Sequence, residues 1–96
     1  MQLARVVGTV VSTQKTKFIT GMKLLIVEPI DVRTLKASGK PVVAVDGVGA
    51  GEDEVVLFVT GSSSRLTENT KDKPVDATIM AIVDFVQVDG EQTFAK

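Results

Sequence analysis

The apolar residues of this chain stand in unbroken runs where a small solvated sheet would alternate. Val6-Val7, Val10-Val11, Leu24-Leu25-Ile26-Val27, Val42-Val43-Ala44-Val45, Val55-Val56-Leu57-Phe58-Val59 and Ile79-Met80-Ala81-Ile82-Val83 are contiguous. Successive side chains of a strand point to opposite faces, so strands made of such runs are apolar on both sides. An antiparallel sheet with one wet face reads apolar-in, polar-out instead. Ninety-six residues make one domain, residues 1–96, with one core. The second apolar face therefore needs a further cover, and other copies of the same chain are the expected one.

Composition narrows the function. Eleven basic and twelve acidic residues give a net charge of −1. That balance offers no basic field for nucleic acid or an anionic membrane. Without cysteine there is no disulfide framework and no thiolate metal site. Without histidine the commonest general base and the commonest zinc ligand are both missing. The start, Met1-Gln2-Leu3-Ala4-Arg5, lacks a long apolar stretch, and no run approaches the ~20 residues of a membrane span. A soluble, cytosolic protein is expected.

The β-branched runs are short and separated by turn-rich segments, as strands are. Strands are expected over Ala4–Ser12, with a bend or bulge at Gly8, then Lys23–Glu28, Val42–Asp46 and Glu54–Thr60. A last long strand is expected from Pro74-Val75-Asp76-Ala77 through Val88, followed by a hairpin turn at Asp89-Gly90. Gly61–Leu66 suits one short helix capped by its serines, and Thr67–Lys73 reads as a polar, mobile stretch. A parallel sheet would also bury strands on both faces, but no connection carries the apolar stripe of a crossover helix. The expected fold is all-β: a closed or nearly closed antiparallel barrel of five or six strands, OB-like in size.

Four segments invite chemistry. Gly47-Val48-Gly49-Ala50-Gly51 could bring backbone close to a phosphate, which makes a small-molecule or nucleotide-binding module the alternative function. The dinucleotide fingerprint opens a helix, however, whereas Gly51 runs into Glu52-Asp53-Glu54 and a strand. A tight turn packed against a neighbour fits better. Those three carboxylates lack calcium-loop spacing and read as solvated surface, or as a carboxylate ring if the loop faced a symmetry axis. Ser62, Ser63 or Ser64 as a nucleophile would need a base; histidine is absent and no S-x-x-K spacing occurs, so a hydrolase is disfavoured. Asp46, Asp76 and Asp84 flank apolar runs, where structural pairing with Arg5 or Arg65 is commoner than acid–base work. Of the three, Asp84, between Val83 and Phe85, most needs a partner. Nucleic-acid binding would use a basic groove with stacking rings, and only four phenylalanines are present.

Several blocks in register resemble one family. They are Leu3-Ala4-Arg5-Val6-x-Gly8-x-Val10-Val11-Ser12-Thr13-Gln14-Lys15, Gly21-x-Lys23-Leu24-Leu25, and Ala44-Val45-Asp46-x-Val48-Gly49-Ala50-Gly51 with Glu54-Val55-Val56-Leu57. Gly61-Ser62-Ser63-x-Arg65 and Pro74-Val75-Asp76-Ala77-x-Ile79-x-x-Ile82-Val83-Asp84 complete the series. Nearly the whole chain resembles the EutN/CcmL family of bacterial microcompartment vertex proteins. Ser64 departs from the family, which often has alanine there, and Met80 and Phe85 are conservative variations. The resemblance implies a small β-barrel in a ring of five, capping the vertices of a shell whose facets are hexameric shell proteins. It implies no catalysis and no cofactor. It places Gly49, Ala50, Gly51 and Glu52 near the five-fold axis, with Asp46, Arg65 and Asp76 as polar contacts fixing turns or subunit register. Ile79 and Ile82 are candidates for the subunit interface.

Overall fold

A computed structural model describes residues 1–96. Its elements are β1 (Gln2–Val10), β2 (Lys23–Pro29), β3 (Val42–Asp46), β4 (Val55–Thr60), a 3₁₀ turn (Gly61–Arg65), β5 (Ala77–Ile82), β6 (Phe85–Val88) and β7 (Glu91–Ala95). Strands β1-β2-β3-β5-β4 close into a barrel, while β6 and β7 form a separate hairpin. Five strands in a closed OB-like barrel match the sequence expectation, and the shift at Val6/Gly8 is the bulge expected at Gly8.

Two expectations need correction. The barrel is not wholly antiparallel: β3 and β5 run parallel, pairing Val45 with Thr78 and Asp46 with Ile79. The crossover between them is made of β4 and the 3₁₀ turn, so no amphipathic helix was there to be found. Nor does one long strand run to Val88. The chain breaks at Val83-Asp84, and β6 leaves the barrel to pair with β7 around Asp89-Gly90. Both of those turn residues have positive φ (51° and 81°), the conformation of the tight hairpin turn their sequence signals.

Inward-facing residues recur at every second position, although in β3, β4 and β5 consecutive residues are buried as well. Inward residues Ala4, Val6, Leu25, Val27, Ala44, Val56, Phe58, Ala77 and Ile79 fill the barrel together with Ala50 from the glycine turn. The outward set divides. Over β1 and β4, Leu3 and Val55 are covered by the chain itself, through Ile30, Leu35, Val83, Val86 and Phe94. The hairpin is thus a lid over part of the second face, a cover that the expectation of other copies had overlooked. Over β2 and β3 much less covers the stripe. Leu24 and Ile26 alternate with buried Leu25 and Val27 and are only half-buried, and Val43, paired with Ile26, is 48% exposed.

Candidate functional site: the glycine turn and the uncovered barrel face

The turn after β3 is built on carboxylates. Asp46 ends β3 with its side chain 1% exposed. Its Oδ1 accepts hydrogen bonds from the Val48 N–H (3.0 Å) and the Gly49 N–H (3.2 Å), an Asx-type turn. Gly49 has φ +83°, which a side chain would strain. Ala50 then tucks wholly into the barrel core. The Gly51 N–H donates to Glu54 Oε1 at 2.8 Å.

Two lysines complete the turn. The Lys23 ammonium donates to the Ala50 carbonyl at 2.9 Å and stands 3.4 Å from Asp46 Oδ2. That second contact is an ion pair without hydrogen-bond alignment, so Oδ2 has no hydrogen-bond donor. Lys96 Nζ lies 2.7 Å from Glu54 Oε2. This hydrogen bond, with that from the Gly51 N–H, holds the Glu54 carboxyl below its ordinary range, and in return Glu54 raises Lys96.

This geometry answers the phosphate reading. The N–H groups of Val48, Gly49 and Gly51, which an anion would need, already bond carboxylates of the same chain. The turn is a self-satisfied structural loop. Of the residues expected at an axis, Gly49 and Glu52 are exposed and Gly51 is half-buried, whereas Ala50 is a core residue and lines no opening.

The serine segment is structural too. The serines do not cap N–H groups as expected; Ser63 Oγ donates to the Thr60 carbonyl at 3.0 Å instead. Ser64 is fully buried, its Oγ within reach of the Gly61 and Val75 carbonyls, and its own carbonyl accepts from Thr78 Oγ1 at 2.6 Å. One hydroxyl therefore joins the 3₁₀ turn to the approach to β5. Thr67–Lys73 is not loose either, because Thr70 is fully buried and its hydroxyl meets that of Thr67.

The remaining candidates separate. Asp46 fixes a turn, as expected, but with Lys23 beside it and not Arg5 or Arg65. Arg5 donates to the Asp53 carbonyl at 2.8 Å and lies over the Phe94 ring. Asp76 is exposed, and its contribution is a carbonyl that accepts from the Gly61 N–H. Asp84 is also exposed, at the break between β5 and β6, so it needs no buried partner. Ile79 is 1% exposed and faces the barrel interior, and half-buried Ile82 packs on the same core. The burial of Ile79 is completed within one chain, which removes it from the interface candidates, whereas Ile82 keeps part of its surface open. Arg65 is exposed at the end of the 3₁₀ turn and has no ion pair within the chain.

What remains open is the outer face of β2 and β3. Ile19, Leu24, Val43, Val45, Val75 and Ala77, with Pro74 and the carboxylate-bearing Asp76, line a mostly apolar groove of about 180 Å³ there. Sequence reasoning found the runs that supply it but not this location. Lys23 and Glu54, the partners of the glycine turn, were missed because each lies far from its contacts in the chain or reads as ordinary surface charge.

Comparison with known proteins agrees. The family described as "Ethanolamine utilisation protein EutN/carboxysome" matches residues 1–84. The carboxysome shell vertex protein CcmL of Gloeobacter violaceus is 44% identical over 100 residues, covering 100% of this chain and 95% of that protein. A solved structure of Gloeobacter violaceus CcmL superposes with a TM-score of 0.93 over 100% of this chain and 98% of the other, at 44% identity. The microcompartment shell vertex protein EutN of Escherichia coli is 41% identical over 96 residues, the full length of both. The pentameric microcompartment shell protein GrpN from Rhodospirillum rubrum gives a TM-score of 0.79 at 41% identity, covering 92% of this chain and 98% of that one. With a family match over residues 1–84 and relatives above 40% identity across the whole chain, the chain belongs to the EutN/CcmL family.

Proposed function

We propose that residues 1–96 form one structural unit that assembles into a closed ring of five and occupies the vertices of a bacterial microcompartment shell in the cytoplasm. The role is architectural, with six-fold shell proteins as neighbours. The observation that carries this reading is the stripe Leu24, Ile26 and Val43, apolar and incompletely covered in a single chain. A head-to-tail ring buries such a stripe against a different patch of the next copy and closes by rotation. The vertex assignment draws on the names of CcmL, EutN and GrpN, all shell proteins.

A layer tiled by six-fold units closes into a polyhedron only where five-fold units are inserted. Co-expression with a six-fold facet protein tests the function. Closed particles with this chain, and open sheets or tubes without it, are expected in electron micrographs. Equally closed particles in both preparations would refute the vertex role.

A further inference from the structure

A head-to-tail ring needs two different surfaces on each copy. In the barrel order β1-β2-β3-β5-β4, the seam between β2 and β3 lies across from β4. On the β2–β3 side, Pro74 joins the apolar groove to a wider depression of about 450 Å³ lined by Phe18, Arg65, Asp72, Lys73 and Pro74. Phe18 is 55% exposed, and neither Arg65 nor Lys73 has an ion pair within the chain. With Asp72 counted, the lining is still net positive. Over β1 and β4 the β6–β7 hairpin covers Leu3 and Val55. It packs Val86 inward and turns Phe85 outward, 60% exposed. Asp84, beside Phe85, is exposed and forms no ion pair; its charge acts on Lys96 from a distance, while the Lys96 ammonium contacts Glu54 at 2.7 Å.

We propose that Asp84 and Phe85 of one copy dock into the Phe18–Arg65–Lys73–Pro74 depression of the next. This assignment rests on the ring reading and names the two halves of its contact. The Phe85 ring gains an apolar seat on Phe18 and Pro74, an aromatic pairing of the kind that anchors interfaces. Asp84 meets the two free cations. At an interface rim such charges set approach and register more than affinity, so the ring supplies the anchor and the carboxylate the direction. The two patches are different surfaces of the barrel, as a head-to-tail contact repeated around a ring requires.

Charge reversal tests this directly, with the ring-to-monomer equilibrium of the full chain followed by sedimentation. Asp84→Arg, Arg65→Asp and Phe85→Ser are each expected to raise the dissociation concentration roughly tenfold or more. Combining Asp84→Arg with Arg65→Asp is expected to recover most of that loss. All three positions are exposed, so each variant keeps a folded barrel by circular dichroism. Dissociation unchanged in the single variants, or a double variant no better than the worse single, overturns the docking. Intact rings that lose only co-assembly with the facet protein overturn it as well and give the hairpin to that partner. A parent chain that is monomeric refutes the ring reading itself, a result distinct from both.

Discussion

A carboxylate introduced at Val43 and one introduced at Ile79 should fail in different ways. Ile79 is 1% exposed and packs among Phe58 and Leu25 in the barrel core. Removing its side chain costs about 2–5 kcal/mol, and leaving an acid group without partners adds roughly 1–3 kcal/mol. A chain of 96 residues has about 5–14 kcal/mol of folding stability in total, so Ile79→Asp takes a large share of it. Val43 is 48% exposed on the outer face of β3, so Val43→Asp costs a lone barrel only about 1 kcal/mol. In a ring, the same carboxylate would be desolvated at every subunit contact, at several kcal/mol each. Urea unfolding followed by circular dichroism, paired with sedimentation velocity, separates the outcomes. Ile79→Asp should unfold at much lower urea, whereas Val43→Asp should yield a folded barrel of smaller size. If Val43→Asp unfolds the chain as Ile79→Asp does, or leaves the assembly untouched, the division into inward and outward faces is wrong.

Three further outcomes follow from local contacts. Ser64→Ala removes the hydroxyl shared by the Gly61 and Val75 carbonyls and should cost about 1–3 kcal/mol in thermal or urea unfolding, a large effect for one oxygen atom. Gly49→Ala meets no atom within 4 Å but is strained at φ +83°, so a loss of roughly 1 kcal/mol, with no change in assembly size, is expected by the same assay. Glu54 has its folded-state pKa below the ordinary 4.5, so its pairing stabilises the fold above that pH and is lost as pH falls through the folded value. Lys96, raised above 10.5, contributes below that pH and loses its contribution as pH rises through the folded value. Glu54→Gln should therefore lower Tm at neutral pH and flatten the acid limb of Tm against pH; an unchanged acid limb would contradict the assignment.

Much of the barrel was legible because burial on two sides leaves a direct trace in sequence. The runs at Leu24–Val27, Val42–Val45 and Val55–Val59 became β2, β3 and β4 with limits within about a residue or two. Gly8 and Asp89-Gly90 marked a bulge and a hairpin because backbone requirements there are local. The strand break at Asp84 was hidden, since Ile79–Val88 is apolar enough to read as one strand. Only tertiary contacts reveal that Val83, Val86 and Phe94 cover Leu3 and Val55. The parallel pairing of β3 with β5 rests on two residue pairs, which no local pattern records. At the site, Asp46 was correctly read as turn-fixing, because an aspartate ahead of a glycine turn commonly accepts its N–H groups. Ile79 was misplaced because a two-faced run does not say which of its residues point inward.

Native mass spectrometry of the purified chain is the most direct test of the central claim that a single copy leaves an apolar face for another copy to cover. A ring of five, about 51 kDa against 10.2 kDa for one chain, is the expected species at micromolar concentration. A stable 10.2 kDa species across that range would contradict it.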